Sequence, residues 1–208
     1  MFKKIFINII VLILIAIGFH FIRIYSILDN AYQTSELFKT VTNITVKRDI
    51  YNDNGTLIEA SLEYRIKDDK VLAILKDSND KIVNLFKVDL DTYKLEKYAV
   101  DENNVPLKEL EEEMANPQEY LDITLWNLLE GRSFKEFFID SLFRLIRMDS
   151  DNYIIKIRTS NGEEMDAYIS RNDFTLNKVI NLNNDNSVTV YSYELGNVTD
   201  DMLDIHNL

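Results

Sequence analysis

The chain opens with a long apolar run from Ile5 to Ile22, which only three other residues interrupt. A helix of this length, at about 1.5 Å per residue, is about 27 Å long, which is close to the hydrocarbon thickness of a bilayer. The pattern therefore predicts a transmembrane anchor over residues 5–22.

Basic residues flank this run unequally, because Lys3 and Lys4 precede it and Arg23 alone follows it. The positive-inside bias then predicts residues 1–4 in the cytoplasm and the rest of the chain outside, as a single-pass protein of the cell membrane. A cleaved signal peptide is the alternative, since Ala16-Ile17-Gly18 is a small-x-small site. The apolar character continues beyond that site, which favours a retained anchor.

Beyond the anchor, apolar positions recur first at helical spacing and then at strand spacing. Residues 23–42 keep an apolar side chain at every third or fourth position, which predicts a juxtamembrane helix. The stretch TLIEASLEYRI instead alternates apolar and polar residues, which is typical of a half-buried strand. Similar segments follow and predict an antiparallel meander: DKVLAILKD, KIVNLFKVD and YKLEKYAVD.

In the middle of the chain the spacing becomes helical again. Asn116-Pro117-Gln118-Glu119 is typical of a helix start, and Ser133 with Glu136 forms a capping box for a second helix. Strands resume with NYIIKIRTS. This order predicts an α+β fold in which the transmembrane helix precedes a curved antiparallel sheet, an unclosed half-barrel, with helices packed on one face. Residues 43–208 are expected to form one extracytoplasmic domain.

Composition narrows the range of functions. The 208-residue chain has a formal net charge of -12, which repels nucleic acid, so no nucleic-acid partner is expected. It has no cysteine, which excludes thiol nucleophiles, thiolate metal sites and disulfides. Its two histidines, His20 and His206, lie in the predicted anchor and close to the last residue. Neither a catalytic triad, a metal site nor a cofactor is predicted, and we expect no enzymatic activity.

Carboxylate clusters are the other candidates for chemistry, at residues 109–113, 149–151 and 200–204. No cluster has the spacing of a calcium-binding loop, so a solvated acidic surface is the favoured interpretation. An acid-dependent hydrolase stays open as an alternative, because two of these carboxylates could converge in a cleft.

The central helices carry more apolar side chains than one buried helix face requires. This excess predicts a groove between helices and sheet that binds a lipid, another amphiphile or an apolar peptide. The alternative is that the helices fill the concave face of the sheet. The candidate groove residues are Trp126, Phe134, Phe138, Leu142 and Leu145.

The N-terminal helix, the strands around NDNGTLIEASLEYRIKDDKVLAILK and the last strands, from Asp166-Ala167-Tyr168-Ile169 to Tyr191-Ser192-Tyr193-Glu194-Leu195, together resemble the LolA-like superfamily of lipoprotein carriers and envelope stress sensors. The resemblance covers most of residues 30–205. It implies an unclosed half-barrel with helices in its mouth, acyl chains bound there in several members, and no catalytic residue.

We therefore expect a membrane-anchored, non-enzymatic protein of the cell envelope that binds a lipid or an apolar peptide. The alternative is a structural interaction module of an envelope membrane complex, with an envelope protein as its partner and a nuclear-transport-factor-like cone fold. An open cavity behind the helices favours the first function, and a filled interior with an exposed apolar edge favours the second.

Overall fold

The computed structural model describes residues 2–38, 40–52, 54–56, 61–103, 105–114, 135, 138, 139, 141, 146–158, 162–182 and 186–208. One long helix, α1, covers Phe2–Phe38. The strands are Asn43–Tyr51 (β1), Ser61–Lys67 (β2), Lys70–Lys76 (β3), Ile82–Asp89 (β4), Lys94–Val100 (β5), Pro106–Glu113 (β6), Arg147–Met148 (β7), Asn152–Arg158 (β8), Glu164–Ser170 (β9), Leu176–Asn181 (β10) and Val188–Leu195 (β11).

Helix α1 runs without a break from the predicted anchor into the predicted juxtamembrane segment and ends at Phe38, before residue 42. Most side chains from Phe6 to Arg23 are exposed, whereas Ile24 is only 1% exposed. Within Phe6–Thr34 the most apolar window has a mean hydropathy of 2.4, and 6% of it is buried. The helix is long and apolar enough to cross a bilayer, a property that signal sequences near an N-terminus share.

All neighbouring strands are antiparallel, and they form one sheet in the order β6-β5-β4-β3-β2-β1-β11-β10-β9-β8-β7. The sheet is unclosed, because its order begins at β6 and ends at β7 in the described chain. Strands β1 and β11 join its two halves through a register that runs from Ile44 opposite Leu195 to Tyr51 opposite Val188. The predicted α+β class and the unclosed antiparallel sheet are confirmed.

The C-terminal half of α1 packs on one face of the sheet, which we call the inner face. Ile24, Ile27, Leu28 and Ala31 recur at helical spacing and lie on the side of α1 that is buried. They form one cluster with apolar side chains from β8, β9 and β10: Ile155, Ile157, Ala167, Ile169, Leu176 and Val179. This helix covers the half of the sheet that ends at β7.

A second buried cluster lies on the inner face of the other half of the sheet. Val41, three residues after the end of α1, and Met114, directly after β6, pack against it. Its buried members come from β1 to β5: Ile44, Val46, Ile66, Val71, Val88 and Leu95. The inner face is thus apolar on both sides of the β1–β11 junction.

The C-terminal segment covers part of the opposite, outer face. Two short 3-10 turns, Asp200–Leu203 and Ile205–Asn207, place Leu203 and Ile205 on Leu72, Ile74 and Leu85. Polar contacts fix the segment in place. The Asn43 side chain donates to the carbonyl of Val198 at 3.0 Å and accepts from its N–H at 2.9 Å, and Arg65 donates to the carbonyl of Met202 at 3.0 Å.

The two predicted central helices lie largely outside the described residues. Lys135, Phe138, Ile139 and Ser141, which belong to the second of them, are helical.

Replacing Leu28 with alanine removes a fully buried side chain from the contact between α1 and the sheet. We expect Leu28→Ala to lower the free energy of unfolding by about 2 to 5 kcal/mol. Urea unfolding of the full chain in detergent micelles, followed by circular dichroism, measures this loss. Leu37→Ala is the matched control, because Leu37 lies on the same helix and is 62% exposed, and its effect should stay within about 0.5 kcal/mol. Equal losses in both variants contradict the packing.

Candidate functional site

The inner face carries a row of half-buried apolar side chains that neither buried cluster fully covers. Cross-strand register puts Leu62 opposite Leu75 on β2 and β3, and Tyr64 lies two residues along from Leu62. On β4, Phe86 lies opposite Ala73 and is likewise half-buried. We call Leu62, Tyr64, Leu75, Phe86 and Ala99 the open patch.

Strand periodicity explains why these side chains share one face. Residues two apart on a strand point to the same side, so Leu62 and Tyr64 face the same way as the buried Ile66. Tyr64 and Phe86 pack against the second buried cluster, whereas Leu62 and Leu75 lie further along their strands. The open patch therefore continues the apolar core onto a half-exposed surface.

Arg48 lies at the boundary between the open patch and the half of the sheet that α1 covers. It is opposite Leu62 on one side and Tyr191 on the other. Its Nε is buried and has no hydrogen-bond partner. The guanidinium makes no ion pair with any residue that the structure describes, and the neighbouring Asp49 bonds to Lys47, at 3.1 Å, and to the hydroxyl of Ser61.

Two tyrosines on β11 line the same boundary. The hydroxyl of Tyr193 donates to the carbonyl of Leu176 at 2.9 Å. Burial raises the pKa of Tyr193, and it also raises the pKa of Tyr191, where the charge of Arg48 acts in the opposite direction. Both phenols are therefore neutral at pH 7. The positive charge at the boundary between the open patch and the covered half of the sheet belongs to Arg48.

Of the predicted groove residues, four lie outside the described residues: Trp126, Phe134, Leu142 and Leu145. The fifth, Phe138, is half-buried and packs against the cluster beneath α1. Its ring meets the ring of Tyr25 edge-to-face, with centroids 5.4 Å apart and planes at 87°. The structure thus brings one predicted groove residue onto the face of the sheet that α1 covers.

Exposed apolar side chains surround the point where α1 enters the sheet. Ile22 and Tyr25 on the helix are exposed, and so are Met148 on β7 and Ile139, the chain neighbour of Phe138. Arg23 contacts the sulfur of Met148. We call Ile22, Tyr25, Ile139 and Met148 the apolar rim.

The carboxylates of the acidic clusters act as local structural groups. Asp149 accepts the backbone N–H groups of Asp151 and Asn152 at 2.9 and 2.6 Å, and these bonds lower its pKa. Asp200 pairs with Lys67 at 2.8 Å. Among the described residues, no group of three or more potential ligands is placed to hold a metal ion.

A cavity of about 360 Å³ lies on the outer face, beside the C-terminal segment. Its apolar lining includes Leu85, Val100 and Ile205, and Lys76 and Lys81 lie at its edge. Lys76 is paired with Asp80 at 3.1 Å. This cavity is on the opposite face of the sheet from the open patch.

Sequence reasoning missed Arg48, although a signal was present. In NITVKRDIY the apolar residues Ile44, Val46 and Ile50 alternate with polar ones, and Arg48 occupies a position of the apolar set. A basic residue at a strand position whose alternation predicts burial indicates either a buried ion pair or a site for an anionic group.

Comparisons with known proteins give similarities of fold only. No family model and no curated protein matches the chain. The structure of PNGF-II in the C2 space group is 12% identical with a TM-score of 0.38, and the match covers 76% of this chain but 28% of PNGF-II. LprF from Mycobacterium bovis is 10% identical with a TM-score of 0.39, covering 84% of this chain and 95% of LprF. A LolA superfamily protein from Nitrosomonas europaea is 8% identical with a TM-score of 0.32, covering 88% and 98%.

The architecture agrees with the LolA-like resemblance suggested by the sequence. The antiparallel sheet is unclosed and carries helix α1 on one face, whereas the central helices expected in the mouth of the half-barrel lie largely outside the described residues.

The ring contact between Tyr25 and Phe138 can be tested by a double-mutant cycle. We expect Tyr25→Ala and Phe138→Ala to couple by about 0.5 to 1.5 kcal/mol in urea unfolding, because edge-to-face pairs contribute that much beyond area burial. Pairing Phe138→Ala with Tyr98→Ala on the outer face is the control, and these two should be additive within about 0.5 kcal/mol. Additivity of Tyr25 and Phe138 contradicts the contact.

Proposed function

We propose that this protein is a membrane-anchored, non-enzymatic binding protein that holds a lipid or another amphiphile on the inner face of its sheet. The observation that carries the proposal is the open patch, an apolar surface that continues the core and stays half-exposed. Apolar surfaces inside a concave sheet bind apolar ligands, because they release water when they are covered. An apolar peptide is a second ligand that the same surface accepts.

The predicted groove residues form the opposite wall in this proposal. Phe138 supports this arrangement, since its side chain packs on the inner face next to α1. Trp126, Phe134, Leu142 and Leu145 belong to the same proposed wall. A ligand between this wall and the open patch contacts apolar groups on two sides.

The anchor determines where such a ligand enters. We infer that α1 crosses the membrane and that residues 43–208 form one domain outside the cytoplasm. Near the exposed half of α1, Arg23 contacts Met148 on β7. Further along the helix, Thr34 donates to the carbonyl of Asp173, in the turn between β9 and β10, at 3.2 Å. The β7 edge and the apolar rim therefore lie next to the bilayer, where a lipid reaches the domain directly.

A binding role rather than catalysis is supported by the chemistry of the described residues. The inner face offers aliphatic and aromatic groups, the guanidinium of Arg48 and, on β5, Lys97, which is paired with Glu109. The carboxylates of Asp149 and Asp200 are held in turns and ion pairs on the surface.

An interaction module of an envelope complex is the second candidate. The observation that favours it is strand β6, which lies at the edge of the described sheet. Leu107 and Leu110 on this strand and Val105 just before it are exposed apolar residues. Glutamates on the same strand, with Pro106 at its start, discourage unspecific pairing at this edge. A partner that adds a strand here would have to be basic.

Binding of an apolar fluorescent probe tests the ligand-binding function. The full chain in phosphatidylcholine nanodiscs should bind the probe saturably, and Leu75→Glu should weaken binding at least about tenfold, because a charge on the open patch must be desolvated. Val83→Glu is the matched control, since Val83 is on the adjacent strand and 39% exposed. Equal binding by both variants contradicts the site.

The melting temperature of each variant separates loss of binding from loss of folding. If Leu75→Glu unfolds, Leu75→Ser gives a milder change at the same position and should still weaken binding. A folded Leu75→Ser variant with unchanged affinity also contradicts the site.

The orientation can be tested by labelling, since the chain has no cysteine. We expect Asn79→Cys, in the exposed turn between β3 and β4, to react with a membrane-impermeant maleimide added to intact cells. Lys3→Cys should react only after the membrane is permeabilised. The reverse pattern contradicts the proposed topology.

A further inference from the structure

We propose that Arg48 is the anchoring residue for the anionic head group of the bound amphiphile, so that the ligand carries a carboxylate or a phosphate at one end. This inference rests on the proposed ligand-binding function and specifies the chemical class of the ligand. It follows from the position, the unsatisfied bonding and the isolation of Arg48 on the inner face.

Arg48 is the one charged inner-face residue of seven described strands, β1 to β3 and β8 to β11. On β5, register also puts Lys97 on this face, opposite Phe86, but Lys97 is already paired with Glu109 at 2.9 Å. Register places the other members of this face in these seven strands, and none of them is an acidic or a basic residue. They are Ile44, Val46, Ile50, Leu62, Tyr64, Ile66, Val71, Ala73, Leu75, Tyr153, Ile155, Ile157, Met165, Ala167, Ile169, Leu176, Val179, Asn181, Thr189, Tyr191, Tyr193 and Leu195.

The buried Nε of Arg48 lacks a hydrogen-bond acceptor, which an anionic ligand would supply. Buried donors in proteins are almost always paired, and a buried guanidinium nitrogen without an acceptor is costly. Nε of Arg48 is such a donor. The nearest carboxylate in sequence, Asp49, points to the outer face and bonds to Lys47 and Ser61.

The geometry around Arg48 separates the two ends of an amphiphile. Leu62 and Leu75 lie in one line with Arg48 across β1, β2 and β3. An acyl chain on the open patch therefore ends near the guanidinium. The planar guanidinium binds a carboxylate or a phosphate through two parallel hydrogen bonds, which a lysine cannot reproduce.

The test compares a fluorescent long-chain polyene fatty acid with its uncharged methyl ester, using the full chain in phosphatidylcholine nanodiscs and subtracting empty discs. The wild type should bind the acid about tenfold to a hundredfold more tightly than the ester, as expected for hydrogen bonds to a charged group. Arg48→Met should remove this preference and leave the affinity for the ester unchanged. Arg48→Lys should retain only part of the preference.

Lys47→Met is the matched control, because Lys47 is adjacent in the chain, faces the outer side and carries the same charge. It should keep the preference for the acid. If Lys47→Met and Arg48→Met reduce the preference equally, the effect is one of net charge and the inference is wrong.

The outcomes distinguish this inference from the proposed function. If neither the acid nor the ester binds saturably, the proposed function fails. If both bind equally well to the wild type, the function stands and the role of Arg48 is refuted. A lysophosphatidic acid that displaces the fatty acid supports the anchor, whereas displacement by inorganic phosphate alone at the same concentration refutes an amphiphile site in favour of a free-anion site.

Discussion

The contact between one side of helix α1 and strands β8 to β10 is the interaction on which the rest of the structure depends. Four apolar side chains of the helix, from Ile24 to Ala31, fill the inner face of these strands. Without them the antiparallel sheet would expose a continuous apolar surface to water on that side. The same helix carries the exposed apolar segment of the proposed anchor, so folding of the sheet and the proposed attachment to the membrane use one element.

The position of α1 also explains why the inner face has two different regions. The helix reaches the β9–β10 turn through Thr34 and then ends, so it covers the half of the sheet nearest β7. The other half has its own buried row, and beyond that row the side chains become half-exposed. Arg48 lies where these regions meet, which combines apolar surface with a single unpaired charge.

Much of the architecture could be predicted from the sequence, because its elements have clear periodicity. Strand alternation identified β3, β4 and β5, and helical spacing identified the buried side of α1. The residues of strand β6 were interpreted only as a solvated acidic surface, because their side chains show no apolar alternation. This edge strand is held by backbone hydrogen bonds to β5, which leave no such pattern in the sequence. The C-terminal segment was missed for a related reason, because Leu203 and Ile205 bury singly in 3-10 turns without a repeating pattern. The alternation of β1 puts Arg48 among the apolar positions, but its lack of a partner could not be predicted, because that is a property of tertiary contacts.

The continuity of α1 has a geometric consequence for the domain. No flexible linker separates the exposed apolar half of the helix from the half inside the core. In the proposed membrane-anchored arrangement, one residue inserted between them would shift the sheet along the helix axis by about 1.5 Å and rotate it by about 100° relative to the bilayer. In that arrangement, the number of residues between the lipid interface and Ile24 sets the height of the β7 edge above the membrane and the direction in which it points, and evolutionary changes of helix length would come in whole turns.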